Sequence, residues 1–293
     1  MSLTATQLPT EIDNLNIFLD NYNTINIYYD EKIPFSTISF PEDTVNINTS
    51  GNKVFVKSKS VEFNNNLNIN GNTINNINFS DINNNVNISM INGKVIINGQ
   101  IVNDDNNFQQ KSSSSKEMIK IEIYLNKLTE LNLHGSSNVF ITKNNNSDNN
   151  KLEIPNLELN LNNESKLNVN SDINTGDFSL NCSGVSEFKT NNLINVINVM
   201  KINLSGTSSV KLDKVETHKI KIKQSGTTSI NCEKINTNKL NANLSGVSQT
   251  NFNLKGNDIE KLKLDLSGVS SFSLKNTYKS SDINTSGISK FNK

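Results

Sequence analysis

Six copies of a Ser-Gly-x-Ser/Thr tetrapeptide punctuate the second half of the chain, in CSGVS, LSGTS, QSGTT, LSGVS, LSGVS and TSGIS. A serine that ends an apolar run beside a glycine is where a hydrolase holds an exposed nucleophile, with a histidine as its base and an acid to orient that base. The partners for such chemistry are scarce. His134 and His218 are the only histidines, and neither has a cysteine or an acid at metal-ligand spacing. Glu187, Asp213, Asp258 and Asp265 sit at different offsets from their nearest tetrapeptide, so they form no column of paired carboxylates for acid/base work. Asp104 and Asp105 are an isolated pair, and the glycine- and aspartate-rich nonapeptide of calcium-binding β-rolls is absent. No catalytic, cofactor-binding or metal-binding residue is therefore assigned, and the chain is not expected to be an enzyme.

Repetition gives the serines a different reason to exist. Gly184, Gly206, Gly226, Gly246, Gly268 and Gly287 anchor the six copies at steps of 22, 20, 20, 22 and 19 residues. Two degenerate copies precede them, LHGSSNVFI around Gly135 and LNNESKLNV, where Asn163 takes the glycine's place. Around each anchor apolar residues alternate with polar ones, as in Phe178, Leu180 and Cys182 before Gly184 and Phe188 after it. Period two is the strand signal. A unit of about 20 residues with two short strands cannot bury its own apolar edge, so it must stack on its neighbours as a coil of a β-solenoid. Coils then lie roughly 4.8 Å apart and pair in parallel.

Each coil has to turn a corner, and glycine supplies positive φ or close backbone approach there. The expected structural corner positions are Gly135, Gly184, Gly206, Gly226, Gly246, Gly268 and Gly287. Ser183, Ser205, Ser225, Ser245, Ser267 and Ser286 should form one column beside them, and Ser186, Ser208, Thr228, Ser248, Ser270 and Ser289 a second. Their hydroxyls are expected to bond local backbone or the equivalent hydroxyl one coil away. The residue after each anchor reads Ser136, Val185, Thr207, Thr227, Val247, Val269 and Ile288. An outward row of this kind would suit ice, a partner strand or another solenoid, although β-branched residues also simply fit extended backbone beside a turn.

Composition bounds the partners. Lysines and acidic residues balance at 28 each, with no arginine, and this argues against nucleic acid and against an anionic membrane. Asparagine is abundant, a bias that AT-rich coding imposes, so its count alone carries little. Cys182 and Cys232 have no metal-ligand spacing and read as buried free thiols, which suits a reducing compartment. The first 20 residues lack a basic leader followed by an apolar run, and no segment is long enough for a membrane helix. The expected location is cytoplasmic, or extracellular if a leader has been removed.

Residues 1–118 are less regular than 119–293. They still alternate, in NIFLDNYNTINIYY and NVNISMINGKVIINGQIV, and are expected to be looser coils of the same solenoid. Two polar stretches, 103–117 and 143–150, read as loops.

The passage IKIEIYLNKLTELNLHGSSNVFI, 119–141, followed by serial LxLSGxSxxxL units, resembles the bacterial family of auto-transporter adhesin head GIN domains. The resemblance covers the last 175 residues best. It implies an all-β, right-handed single-stranded β-helix, a surface adhesion role, and no established catalytic residues. The expected function is thus non-enzymatic, adhesin-like binding of a protein or glycan through a repetitive surface. A self-assembling structural protein and a polysaccharide-active β-helix enzyme are the alternatives. Replacing Gly206 with Val should lower the melting temperature well beyond any effect on binding; a variant that melts like its parent would refute the corner assignment.

Overall fold

A computed structural model describes residues 3–9, 12–30, 32–41, 44–58, 67–69, 72–74, 88–91, 94–97, 100–102, 120–143 and 151–293. Of the expected loops, 103–117 and 143–150, all but Lys143 lie outside these, and Lys143 is strand; most of 59–117 lies outside as well. All regular structure among the described residues is strand. In chain order the first five strands are β1 (Leu3–Gln7), β2 (Asn14–Tyr29), β3 (Thr37–Pro41), β4 (Val45–Ser50) and β5 (Lys53–Ser58). Next come β6 (Leu67–Ile69), β7 (Asn72–Ile74), β8 (Ile88–Ile91), β9 (Lys94–Ile97) and β10 (Gln100–Val102). The repeat region holds β11 (Lys120–Leu125), β12 (Glu130–Lys143), β13 (Lys151–Leu161), β14 (Lys166–Val169), β15 (Asp172–Cys182), β16 (Glu187–Thr190) and β17 (Leu193–Leu204). It continues through β18 (Ser209–Gln224), β19 (Thr227–Leu244), β20 (Val247–Leu254), β21 (Ile259–Leu266), β22 (Ser271–Leu274), β23 (Tyr278–Thr285) and β24 (Lys290–Asn292).

The chain forms two compact units, one from Met1–Ser58 with Met118–Lys293 and the other from Lys59–Glu117. In the second, β6 and β7 pair antiparallel, and β8, β9 and β10 form an antiparallel three-stranded sheet. The first is a β-solenoid with coils of about 21 residues. From β12 onward its winding is sequential: every coil pairs in parallel and in register with the next.

Period-two patterning creates the core. In SVKLDKVETHKIKIKQ the inward residues Val210, Leu212, Val215, Ile220 and Ile222 are buried, while lysines and acids alternate with them outside. Register then stacks the inward residues into columns. One runs Leu15, Leu131, Leu159, Leu180, Ile202, Ile222, Ala242, Leu264, without a polar interruption. Burying each such aliphatic side chain contributes roughly 1.5–3 kcal/mol, which stacking supplies and a lone coil could not.

Two details position the outer surface. The 22-residue steps put their extra residues at irregularities of the ladder, a bulge within β17 and a bend before β21. One falls between Val196 and Met200, where the register shifts and Ile197 is exposed, and two fall between Leu254 and Lys261. The latter bend is closed by buried Asn276, whose amide donates to the carbonyls of Ile235 (3.1 Å) and Asn257 (2.7 Å). At Gly256 a Cβ would lie 1.7 Å from the Ile235 carbonyl oxygen, so only glycine fits.

The first coils do not follow chain order. β2 lies between β12 on one edge and β5 with β11 on the other, all parallel. The far edges of β5 and β11 pair antiparallel with β4 and β3, and β3 in turn with β1. Antiparallel strands thus cover the edge that the parallel stack would otherwise leave open at this end.

A polar cluster interrupts the apolar columns. Gln224 occupies the inward position of Leu204 and Leu244, and Thr250 that of Ile230 and Phe272. Thr250 donates its hydroxyl to Gln224 Oε1, and Gln224 Nε2 donates to Thr228 Oγ1 (3.2 Å) and the Gln249 carbonyl (3.3 Å). Each departure from the apolar column is satisfied by the other. Thr250→Val should therefore lower unfolding free energy by about 1–3 kcal/mol in urea titrations, by stranding a buried amide oxygen. Adding Gln224→Leu should recover most of that loss, and equal losses in the single and double variants would contradict the pairing.

Candidate functional site

The Ser-Gly-x-Ser bends join each pre-anchor strand to its post-anchor strand. Gly184, Gly206, Gly226, Gly246, Gly268 and Gly287 all lie at φ between +70° and +84°, and Gly135 is at +86°. Asn163, in the degenerate copy, adopts +62°. Asparagine is among the few residues that tolerate this region. Close approach adds a second constraint. A Cβ on Gly206 would sit 2.6 Å from the Gly184 carbonyl oxygen, because that oxygen accepts the Thr207 N–H at 2.7 Å. The same bond recurs from Thr227 to Gly206, Val247 to Gly226, Val269 to Gly246 and Ile288 to Gly268.

Backbone groups tie every bend to the next, and several serine hydroxyls add a bond to the neighbouring coil. The N–H groups of Ser183, Ser205, Ser225, Ser245, Ser267 and Ser286 each donate to a carbonyl one coil back. In that column Ser245 Oγ donates to the Gln224 carbonyl (3.1 Å) and Ser183 Oγ to Asn162 Oδ1 (2.6 Å). The second column faces inward. Ser208 Oγ donates to the Ser205 carbonyl (3.0 Å), but the hydroxyls of Ser137, Ser165, Ser248 and Ser270 are buried without a partner. Of the two expected bonding modes the hydroxyls use backbone carbonyls, and among the described residues no hydroxyl bonds the equivalent hydroxyl one coil away. Small size, which lets the chain enter the core beside the bend, is what these positions require.

The outer faces are laddered by asparagine. Asn132 Nδ2 donates to Asn16 Oδ1 (3.0 Å), Asn160 to Asn132 (2.8 Å), Asn181 to Asn160 (2.7 Å) and Asn203 to Asn181 (2.7 Å). An amide donates and accepts, so identical side chains one coil apart satisfy each other. The next position in register is Lys223, then Asn243. Here the ladder stops, beside an open groove of about 670 Å³ lined by Asn203, Lys223, Asn243 and the serine column from Ser183 to Ser245. Composition alone hid these residues; the signal was the constant offset of Asn132, Asn160, Asn181 and Asn203 three residues before Gly135, Asn163, Gly184 and Gly206.

The row after each glycine points outward. Val185, Val247, Val269 and Ile288 are 52–70% exposed, and Thr207 and Thr227 are exposed between them. The carboxylates weighed as catalytic candidates are held apart: Glu187 pairs with Lys211, Asp265 with Lys263, and Asp258 accepts the Thr277 hydroxyl. His134 stacks face to face on Phe18 at 4.5 Å, and burial holds its pKa below the ordinary value. His218 is exposed on β18.

Against this geometry, a family model described as "Putative auto-transporter adhesin, head GIN domain" matches residues 43–232 and 153–257. The chain belongs to the head GIN domain family. No curated protein matches it. Two solved structures share the fold of this head GIN domain chain. A putative adhesin from Parabacteroides merdae has a TM-score of 0.65 at 14% identity, covering 99% of this chain and 95% of its own. One from Parabacteroides distasonis has a TM-score of 0.60 at 11% identity, covering 99% and 97%. A third, described as a putative lipid binding protein from Parabacteroides distasonis, reaches 0.52 at 12% identity, covering 99% and 96%.

Cys182 and Cys232 are free and buried, and burial pushes both thiols up to about 12. The folded state keeps protons that the unfolded chain releases above about 9. The stability these groups contribute is complete below that value and is lost as pH rises towards about 12. Iodoacetamide at about pH 8 should label neither thiol of the folded chain and both in denaturant. Rapid labelling under native conditions would contradict their burial.

Proposed function

We propose that this head GIN domain chain is a non-enzymatic, adhesin-like module that binds a protein or glycan through its laddered outer surface. The observation that carries the reading is the interrupted asparagine column. From Asn16 to Asn203 the amides bond to one another, whereas at Lys223 the ladder breaks and polar groups of Asn203, Lys223 and Asn243 face an open groove. An asparagine at 223 would have continued the ladder, so the lysine exchanges internal bonds for groups that can meet a ligand.

Family membership supports a binding role at or beyond the cell surface, the exported alternative raised by the sequence. The solved relatives described as adhesins and as a lipid binding protein support binding in general. Among the described residues no helix is long and apolar enough to cross a membrane. The buried, protonated thiols would be inert in an oxidising compartment, so they do not oppose export.

Lys223→Asn separates ligand binding from folding. On glycan and surface-protein arrays the parent chain should give at least one saturable partner, with affinity in the variant lower by about tenfold, the worth of one charge-assisted contact. The melting temperature of the variant should equal or exceed the parent's. A blank array, or equal binding by both chains, would count against the groove.

A further inference from the structure

The overall charge balance conceals a segregation that only register reveals. On the face formed by β17, β18, β19 and β21, the outward residues are Val199, Lys201 and Asn203; Lys219, Lys221 and Lys223; Lys239, Asn241 and Asn243; and Lys261, Lys263 and Asp265. Seven lysines thus occupy an area roughly 14 Å on a side, from strand rise and spacing. Lys219, Lys239 and Lys261 stand directly in line. Among the described residues only Lys263 of the seven has a carboxylate partner, Asp265 or Asp282. Earlier coils carry acids in the same column, Glu130 and Glu158, where Lys201 and Lys221 stand later.

Like charges aligned across strands oppose sheet formation. A chain with equal numbers of both signs has the means to alternate them, as it does elsewhere in Lys214 with Glu216 and Lys151 with Glu153. Here it does not. On this face the column Lys219, Lys239, Lys261 runs along the stacking direction, one cation per coil over three coils. An extended pyranose chain advances by nearly the coil spacing per ring, so a linear glycan laid along the stack meets a new cation at each sugar. Asn203, Asn241 and Asn243 lie among the lysines as donors and acceptors for sugar hydroxyls.

Resting on the binding-module reading above, the geometry points to an acidic linear glycan, bearing carboxylates or sulfates, as the ligand of this face. Nucleic acid fits less well, because the face has no aromatic platform and the chain has no arginine for forked contacts. A lipid surface fits less well, because the outward positions among these lysines hold a single apolar side chain, half-buried Val199, with exposed Ile197 only at the border of the face.

The test uses the full chain with polygalacturonate, a heparin oligosaccharide, neutral dextran, single-stranded DNA and phosphatidylglycerol vesicles. At least one acidic glycan should bind, more weakly as salt rises. The triple variant Lys219→Gln/Lys239→Gln/Lys261→Gln should lose at least about tenfold in that affinity while melting no lower than the parent, because aligned repulsion is relieved. The control Lys189→Gln/Lys211→Gln, on another face, should bind as the parent does. Equal affinity in parent and triple variant, or tighter binding of DNA or vesicles than of either acidic glycan, overturns the assignment. If acidic glycans fail while a neutral glycan or a protein binds, the assignment falls and the binding-module reading stands. If nothing binds on any array, both fall.

Discussion

The structure depends on one contact: the backbone N–H after each bend glycine donating to the carbonyl of the glycine one coil below. It demands positive φ and excludes a Cβ at the same residue, so two independent requirements converge on glycine. Once that bond repeats, coil separation and register are set at the corner and carried along both flanking strands. Every side chain then has its equivalent directly above and below, and the chain becomes a set of columns.

Columns explain both the interior and the exterior. Inside, aliphatic residues stack into an unbroken core, and a polar intruder such as Gln224 is tolerated because Thr228 and Thr250 on its own and a neighbouring coil complete its hydrogen bonds. Outside, asparagine, ordinarily a poor strand former, becomes acceptable because each amide meets another one coil away. The same logic makes interruptions informative. Where a column changes character, as at Lys223 or along the lysine face, the stack forgoes internal satisfaction in favour of solvent-facing groups.

Much of this was legible from residues 119–293. The bends were, because the need for positive φ is local and glycine advertises it, and Asn163 could be placed as a substitute by spacing alone. Alternation marked the inward set, including Cys182 and Cys232 as buried thiols. The asparagine ladders were missed because abundance disguised position, and in the second serine column Ser208 and Ser289 bond local backbone while Ser248 and Ser270 are simply compact.

Local requirements were therefore determined by the sequence alone: strand alternation, the glycine bends, and stacking of short coils, all of which follow from backbone sterics and burial within a few residues. Tertiary structure decided which strand lies on which. The insertion of β2 between β11 and β12 could not be read, since an alternating strand suits many neighbours and pairing is non-local. The lysine face was equally hidden. Lys239 meets Lys261 only because two extra residues are absorbed in the bend before β21; placed within the strand, they would have shifted the register and dispersed the charge.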